Sequence, residues 1–263
     1  MKRSVVKLGS KGDIVIYLQR ILKSMGHLEL VIDGDFGKRT DNAVRSFQRL
    51  KGLKDDGIVG NRTWELLENS SLCISDNDYK KAAEELGVEV AVIKAVKEVE
   101  TGGRGGFLEP NKPTILFEGH IFWSQLKKLD LNPENYVKGN EEILYPKWTK
   151  AHYLGGKKEY YRLERAIGIN REAALKSASW GMFQIMGFNY KSCGCLSVED
   201  FVAKNKISEG IQLDLFVNFI KTNKLEPYLI KKDWAGFACK YNGPEYRENK
   251  YDEKLIAAYK KYC

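Results

Sequence analysis

The chain has 263 residues, of which 43% are hydrophobic and 11% aromatic, and its formal net charge is +8. This length allows two domains or one large one, and the composition is that of a chain with a folded core rather than a disordered one. The basic residues are spread over both parts of the sequence and form no arm, so we expect no nucleic-acid partner. The diffuse positive charge suits an anionic partner of another kind.

The cysteines, the N-terminus and the length of the apolar runs further restrict the class of protein. The five cysteines are an odd number and sparse, which argues against a disulfide scaffold and favours synthesis in a reducing compartment. Cys193 and Cys195 do not have a common zinc spacing, and no histidine pair accompanies them, so we predict no metal site and no cofactor. The N-terminus lacks the apolar core of a signal peptide, and no run is long enough to span a membrane. We therefore expect a protein made in the cytoplasm, with no integral membrane segment.

Residues 3–68 contain an internal near-repeat. Asp33–Thr40 reads D-G-D-F-G-K-R-T, and Asp56–Thr63 reads D-G-I-V-G-N-R-T. In each copy Asp-Gly favours a tight turn, an apolar residue anchors the loop, and a helix follows. Apolar residues at helical spacing predict three short helices around one small core. These residues are Val15, Leu18, Leu22, Met25, Ala43, Val44, Phe47, Leu50, Trp64 and Leu67.

This unit resembles a known wall-binding family. The motifs that carry the resemblance are L-G-S-K-G-D-I-V-I-Y-L-Q, D-G-D-F-G, T-D-N-A-V-R-S-F-Q, G-L-K-D-D-G-I-V-G and T-W. They are similar to the peptidoglycan-binding domain of many wall hydrolases, which implies a shallow groove for the wall at residues 1–68. Asp33, Phe36 and Trp64 are candidate contributors to that groove. A structural role is the favoured alternative for them, since a core this small needs large aromatic side chains.

A polar linker is predicted at residues 69–77, followed by a larger domain at 78–263. Ser75 and Asp78 have the spacing of a capping box, which predicts the start of a helix.

The next amphipathic helix carries the first catalytic candidate. Its apolar residues recur from Val88 to Val99, and the helix should end at Gly102-Gly103, because paired glycines permit the left-handed backbone that closes a helix. Glu100 projects at the edge of the buried face. Glu98 points the other way, near Lys94, as an ordinary solvated acid would.

Two effects are expected to raise the pKa of Glu100: partial burial and the negative end of the helix dipole. A carboxyl that stays protonated near neutral pH can act as a general acid. The alternative is a capped helix end whose glutamate bonds a nearby backbone N–H.

A second acidic position follows a predicted strand at Ile115–Phe117. Glu118 and His120 come between this strand and a predicted helix, in apolar surroundings. Glu118 either supports Glu100 or pairs with a cation, and the second reading is slightly favoured. His120 fits a partly buried, hydrogen-bonded histidine better than a catalyst. Residues 127–170 are rich in aromatic side chains that suit sugar rings or interface packing equally, and they stay unassigned: Tyr136, Tyr145, Trp148, Tyr153, Tyr160 and Tyr161.

Two further segments of the sequence combine aromatic, amide and glycine residues. One is the run S-A-S-W-G-M-F-Q-I-M-G at 177–187, in which Gln184 is a lone amide that could bond a sugar or simply satisfy a buried turn. The other is Tyr241-Asn242-Gly243. Between them, a helix from Ile207 to Ile220 is apolar on almost all sides and should be central.

The order of these signals resembles a second family. A glutamate at a helix end, G-M-F-Q-I-M and Y-N-G are similar to goose-type lysozymes and lytic transglycosylases. The longer motifs are similar to those of the phage endolysin N-acetylmuramidase domain. They are A-V-x-x-V-E-T-G-G-x-G, I-L-F-E-x-H, S-W-G-M-F-Q-I-M-G-x-N-Y and Y-N-G. The resemblance implies a mainly α chain, with the three-helix wall-binding domain followed by a lysozyme-like, mostly helical α+β domain.

The resemblance also implies roles for residues. Glu100 matches the catalytic acid for hydrolysis of the bond between N-acetylmuramic acid and N-acetylglucosamine, with Glu118 as a helper. No second catalytic carboxylate stands at a motif position. Substrate contacts are expected from Gln184, Tyr241, Asn242, His120 and Phe183. The implied partner is bacterial peptidoglycan, reached after release from the host cytoplasm, and we expect a monomer.

Three alternatives stay open on the sequence. A lytic transglycosylase would use the same acid and form a 1,6-anhydro product. A metal-dependent amidase or peptidase needs a ligand set, but the only histidines are His27, His120 and His152, without an H-E-x-x-H motif. A non-catalytic wall-binding or virion structural protein would not depend on Glu100.

Overall fold

The computed structural model forms two compact units, Met1–Asn77 and Asp78–Cys263. The residues that it describes are 4–25, 27, 29–102, 105–109, 111–243, 247 and 250–263.

The described part of the first unit contains three helices, as predicted: α1 (Asp13–Ser24), α2 (Lys38–Leu50) and α3 (Asn61–Ser71). Their apolar faces meet in one core, in which Phe36 and Trp64 are almost completely buried. The Trp64 indole also donates to the Ser4 carbonyl at 3.0 Å. Both aromatic side chains therefore stabilise the core and do not present a surface to a ligand. Leu50 departs from the prediction: it is the last residue of α2 and is 80% exposed.

A buried glutamine organises the first repeat. Gln19 Nε2 donates to Asp33 Oδ1 (2.9 Å), the Asp35 carbonyl (3.0 Å) and Thr40 Oγ1 (3.2 Å), while Gln19 Oε1 accepts from the Gly34 N–H at 3.0 Å. Gly34 has φ +75°, which favours glycine. The N–H of Asp35 and then Gln19 lower the pKa of Asp33, so this carboxylate is ionised at the unit's surface.

Gln48 repeats this arrangement in the second copy. Its Nε2 donates to Asp56 Oδ1 (3.3 Å), the Ile58 carbonyl (3.0 Å) and Thr63 Oγ1 (3.5 Å), and its Oε1 accepts from the Gly57 N–H at 2.9 Å. The D-G repeat in the sequence is therefore a repeated hydrogen-bond network, each copy built on a glutamine one helix earlier.

Replacing the second of these glutamines tests the network. We expect Gln48→Met to lower the free energy of unfolding of this unit by about 1–3 kcal/mol, because the buried Gly57 N–H loses its acceptor. Thermal or denaturant unfolding followed by circular dichroism would measure it. Ser46→Met, at an exposed position of the same helix, should change stability by no more than about 0.5 kcal/mol. Equal effects of the two substitutions would contradict the role given to Gln48.

The loop that connects the two units along the chain is shorter than the predicted linker. Helix α3 continues to Ser71 and α4 (Asp76–Leu86) begins just after Ser75, which leaves residues 72–75 between the helices. The predicted helix start at Ser75 is confirmed.

The second unit is mainly helical, as predicted. Its helices are α5 (Val90–Thr101), α6 (Gly119–Lys128), α7 (Lys158–Ile169), α8 (Arg171–Lys176), α9 (Val198–Asn205), α10 (Glu209–Thr222), α11 (Glu226–Ile230), α12 (Trp234–Asn242) and α13 (Tyr251–Tyr262). Short 3₁₀ turns lie at Pro133–Tyr136 and at Gly187–Asn189. Helix α10 is central, with Leu213, Phe216 and Ile220 buried, whereas Ile207 precedes it and is exposed.

Among the described residues of the second unit there are also five short strands: β1 (Phe107–Glu109), β2 (Lys112–Pro113), β3 (Ile115–Phe117), β4 (Ala178–Trp180) and β5 (Ile185–Met186). β1 and β2 form an antiparallel pair, and β3, β4 and β5 form an antiparallel sheet in that order. Ser179 is the partner of Leu116 on one side and of Met186 on the other. The sheet thus joins the predicted strand before Glu118 to the segment that carries Gln184.

All five cysteines are free thiols, and burial raises the pKa of Cys193 to about 12, so this thiol is unreactive at neutral pH. Over the described residues, no helix has the length and apolar character needed to cross a membrane.

Candidate active site

Glu100 lies in the last turn of α5, beside the apolar face that buries Ile93 and Val96. The helix ends at Gly102, whose φ of +55° is left-handed, as the sequence predicted. Gly103 lies outside the described residues. Glu100 is half-buried and its Oε1 is buried. The carboxyl is thus held against the core at the point where the helix stops.

Glu98 has different surroundings. Its Oε2 accepts from Lys261 Nζ at 2.8 Å and from the Tyr262 hydroxyl at 2.5 Å, both on α13. Lys261 and then Tyr262 lower the pKa of Glu98. The Lys94 ammonium, which the sequence placed near Glu98, lies over the ring of Tyr79, at 5.3 Å. Two carboxylates two residues apart therefore serve different purposes, and Glu98 ties α5 to α13.

The two arms of one cleft meet at Glu100. The larger arm has a volume of about 480 Å³ and the smaller about 390 Å³, and both are lined by Glu100, Gln184 and Met186. The larger arm continues past Glu118 and the glycine pair Gly155-Gly156. The smaller arm continues along aromatic side chains, namely Phe183, Phe219, Tyr241 and Tyr251. Glu100 thus stands where the two arms join.

Glu118 is held by a phenol. It follows β3 and occupies the position directly before α6, and its two oxygens accept from the Tyr153 hydroxyl at 2.7 and 2.8 Å. Burial, and then the neighbouring Glu118, raise the pKa of Tyr153, so the phenol keeps its proton. His120 Nδ1 is 3.3 Å from Glu118 Oε2 but is not aligned for a hydrogen bond. The hydrogen-bond donor to Glu118 is therefore the neutral Tyr153 phenol, and His120 is the ionisable base that lies beside it.

Gln184 faces the cleft in a constrained conformation. Its Oε1 accepts from Ser179 Oγ at 2.8 Å, and its Nε2 donates to the carbonyls of Gly181 (2.8 Å) and Thr114 (3.3 Å). Its φ of +49° is uncommon for a residue with a side chain. Such strain is typical of functional sites. The amide therefore fixes the β4–β5 turn as one wall of the cleft.

The glycine in S-W-G-M-F-Q allows a close approach. Gly181 has φ +70°, and a Cβ there would lie 2.4 Å from Asn205 Oδ1 and 2.8 Å from Gln212. The buried Gln212 accepts from the Met182 N–H at 2.7 Å. Helix α10 therefore supports the turn from behind, through a side-chain amide.

Tyr241 and Tyr251 form the aromatic arm near Glu100. Tyr241 is stacked on Phe237, with ring centroids 5.5 Å apart and an interplanar angle of 9°. Burial first, and then the charge of Glu100, raise the pKa of Tyr241 well above its usual value and that of Tyr251 to about 12. Both phenols are therefore protonated donors at neutral pH, close to the predicted acid.

The remaining predicted contacts of this arm are Phe183 and Asn242. Phe183 is buried and stacked on Phe216, with centroids 4.1 Å apart, so its ring supports the arm from inside. The side chain of Asn242 lies outside what the structure describes.

A completely buried ion pair fixes the Glu118 side of the cleft. Arg162 Nη1 donates to Glu159 Oε2 at 2.9 Å, and neither side chain is exposed to solvent. Glu159 also accepts from the N–H groups of Phe117 (3.2 Å), Leu154 (2.6 Å) and Gly155 (2.9 Å). The pair thus joins the end of β3, directly before Glu118, to the glycine wall of the larger arm.

Sequence reasoning did not assign Glu159, Arg162, Tyr153 or Tyr251. The only signal for the ion pair is an E-x-x-R spacing on a helix whose next residue, Leu163, belongs to the buried face. Tyr153 was noted among the aromatic residues of 127–170 without a role. Tyr251 stands alone at the start of α13 and carries no local signal.

Comparisons with known proteins bear on both units. A family model described as putative peptidoglycan binding domain matches residues 11–67, and one described as N-acetylmuramidase matches residues 89–263. The chain belongs to the N-acetylmuramidase family. Both family resemblances seen in the sequence are thereby confirmed.

Three individual relatives differ in how much of the chain they match. The crystal structure of Burkholderia AP3 phage endolysin is 40% identical, with a TM-score of 0.68, over 98% of this chain and 99% of that one. A spore cortex-lytic enzyme of Bacillus cereus is 32% identical over 41% of this chain and 36% of its own length. The N-acetylmuramoyl-L-alanine amidase CwlM of Mycobacterium tuberculosis is 39% identical over 45% and 31%. The chain thus spans about a third of the length of these two curated relatives.

Proposed function

We propose that this protein is a phage endolysin that binds bacterial peptidoglycan and hydrolyses the β-1,4 bond between N-acetylmuramic acid and N-acetylglucosamine. The observation that carries the proposal is the position of Glu100, half-buried at the junction of the two arms of one cleft. A glycan strand that occupies both arms has its backbone across this carboxyl. The peptidoglycan-binding unit supplies attachment to the same polymer.

In this mechanism Glu100 is the general acid. Its proton passes to the glycosidic oxygen as the bond from that oxygen to the anomeric carbon breaks, through an oxocarbenium-like state. Water then adds its oxygen to the anomeric carbon, and its released proton goes to a carboxylate of the site. General acid catalysis of this kind contributes about 10²–10⁴-fold, so oriented binding in the two arms must supply the rest.

Glu118 is proposed to orient the attacking water. It lines the larger arm with Glu100, and the Tyr153 hydroxyl fixes its orientation. Gln184 holds the wall of the cleft by its own hydrogen bonds and presents the remaining acceptor capacity of its oxygen to substrate. Tyr241 and Tyr251, protonated at neutral pH, offer hydroxyl donors in the other arm, and Asn242 stays a predicted sugar contact.

Product analysis tests the proposed reaction. Purified peptidoglycan digested by the wild type should release muropeptides with reducing N-acetylmuramic acid ends, identified by mass spectrometry. Products lighter by the mass of one water would instead show the 1,6-anhydro chemistry of a lytic transglycosylase. Free stem peptides, with loss of activity in EDTA, would show an amidase. Intact glycan with bound protein would leave only a wall-binding role.

The Tyr153 hydroxyl provides a second test. We expect Tyr153→Phe to lower kcat by about tenfold or more with little change in KM, because a group that acts in the transition state has lost its orientation. The measurement is the initial rate of release of reducing ends from peptidoglycan. Tyr160→Phe is the matched control, because its hydroxyl donates at the same 2.7 Å but to the Pro113 carbonyl. An unchanged kcat in Tyr153→Phe would remove Glu118 from the mechanism.

A further inference from the structure

Asn189 is an amide of the smaller arm that the proposed mechanism does not use. It lines this arm together with Glu100 and Gln184, whereas the lining of the larger arm, over the described residues, does not include it. Its side chain is half-buried. In the sequence it belongs to the run G-F-N-Y, directly after the segment that carries Gln184. The fold therefore brings a second side-chain amide into the same arm as the proposed acid.

The two amides of the smaller arm differ in what they can offer a ligand. Gln184 Nε2 donates its two hydrogens to the carbonyls of Gly181 (2.8 Å) and Thr114 (3.3 Å), so this amide has no donor left. By contrast, none of the residues that the structure describes is hydrogen-bonded to the side chain of Asn189. Asn189 therefore has both its N–H donors and its carbonyl oxygen for a ligand.

The backbone that carries Asn189 is fixed at both ends of its turn. Asn189 ends the 3₁₀ turn Gly187–Asn189, which the Tyr190 N–H closes by donating to the Gly187 carbonyl at 3.1 Å. The Asn189 carbonyl accepts from the N–H of the buried Cys193 at 3.3 Å. A Cβ on Gly187 would lie 2.1 Å from the Leu175 carbonyl oxygen, so the turn packs directly on α8. A side chain on such a backbone loses little conformational freedom when a ligand binds.

The chemistry of the smaller arm fits an acetamido group. Such a group has one N–H donor and one carbonyl acceptor, and a primary amide can complement both with its own oxygen and N–H. An acetamido group also carries a methyl, for which the half-buried rings of Phe219 and Tyr251 supply apolar contact in this arm. Both sugars of the peptidoglycan glycan carry an acetamido group at C2. A few polar groups placed beside an aromatic wall are typical of sites that fix the orientation of a ligand.

We propose that Asn189 is a specificity-determining residue of the smaller arm, where its side-chain amide binds the acetamido group of the hexosamine ring on that side of Glu100. The inference rests on the proposed glycosidase function and deepens it, because it names the substrate group that this arm selects. A ring with a free amine in place of the acetamido group offers the Asn189 N–H groups no carbonyl. A site built to hydrogen bond one group discriminates strongly against an analogue that lacks it.

The test compares two forms of one substrate in the full chain. Purified peptidoglycan is used as isolated and after chemical removal of its N-acetyl groups, and kcat/KM is measured from the release of reducing ends. We expect the wild type to act at least about tenfold faster on the acetylated form. Asn189→Ala should be about tenfold slower than the wild type on the acetylated form, because the two hydrogen bonds of the amide are lost. On the de-N-acetylated form it should stay within about twofold of the wild type, since those bonds are absent there.

Two controls separate recognition from damage. Asn135→Ala is the matched variant, because Asn135 also stands in a short 3₁₀ turn and is exposed outside both arms. It should stay within about twofold of the wild type on both substrates. Re-acetylation of the treated peptidoglycan should restore the rate of the wild type but not that of Asn189→Ala. Asn189→Ala should also keep the wild-type midpoint of thermal unfolding, whereas loss of a structural asparagine would lower it.

The outcomes separate this inference from the function on which it depends. If the wild type releases reducing ends from neither form, the proposed function fails and the acetamido site fails with it. If the wild type is active but prefers neither form, or if Asn189→Ala matches it on the acetylated form, the acetamido site alone is disproved. An equal loss on both forms would also overturn it, because that pattern indicates damage to the cleft. Where the treated form gives no measurable rate, the loss on the acetylated form relative to Asn135→Ala decides.

Discussion

Glu100→Gln is expected to reduce the rate of peptidoglycan hydrolysis by about 10²–10⁴-fold, while binding to the wall is retained. The amide has almost the same shape as the acid but no proton to give to the glycosidic oxygen, so the breaking bond would leave an unprotonated alkoxide. The rate is measured as loss of turbidity and release of reducing ends from purified peptidoglycan. Binding is measured by sedimentation of the protein with the insoluble wall.

Glu98→Gln is the control that the chain itself offers. It makes the same chemical change two residues earlier on α5, at a carboxylate held by Lys261 and Tyr262 outside the two-armed cleft. We expect its activity to stay within about twofold of the wild type, since a surface ion pair contributes only about 0–1 kcal/mol to stability. Equal losses in the two variants would show that helix α5, rather than the Glu100 proton, had been disturbed. Full activity in Glu100→Gln would end the general-acid assignment.

Glu159→Gln is expected to produce the largest loss of stability, about 3–5 kcal/mol in the free energy of unfolding of the second unit. The substitution leaves the Arg162 guanidinium buried without its countercharge. It also places an amide N–H₂ group among the N–H donors of Phe117, Leu154 and Gly155. Chemical denaturation followed by tryptophan fluorescence measures the change.

The comparison for this prediction is Glu253→Gln. Glu253 pairs with Lys250 at the same i,i+3 spacing, but both side chains are about two-thirds exposed. Its loss should cost at most about 1 kcal/mol. The buried pair also joins the strand before Glu118 to Gly155. The fraction of Glu159→Gln that remains folded should therefore hydrolyse peptidoglycan more slowly than the wild type. A stability close to the wild type would mean that water or another group replaces the carboxylate charge.

Features that depend on neighbouring residues could be predicted from the sequence. The D-G repeats, the end of α5 at Gly102 and the burial of α10 all follow from residues near one another in the chain, where turn preference and apolar spacing act directly. Glu100 was found for the same reason, since its place at the edge of an apolar face depends only on helical spacing within α5.

Partners that lie far apart in the chain were decided by tertiary structure. Tyr153 reaches Glu118 across 35 residues, and Lys261 reaches Glu98 across 163, so no local spacing could pair them. The Tyr153 phenol beside Glu118 and the Lys261 ammonium beside Glu98 were not predicted, because charge type in a sequence does not specify which side chain arrives in space.

The amino-acid sequence by itself was enough to identify the two family resemblances, the helices and the position of Glu100 at the end of α5. These features depend on residue type and on short spacings along the chain. Only the folded chain decided that Glu100 stands between two arms of one cleft and that a buried glutamate–arginine pair fixes one wall. Such features arise when segments dozens of residues apart are packed together, and the free energy that selects them belongs to that packing.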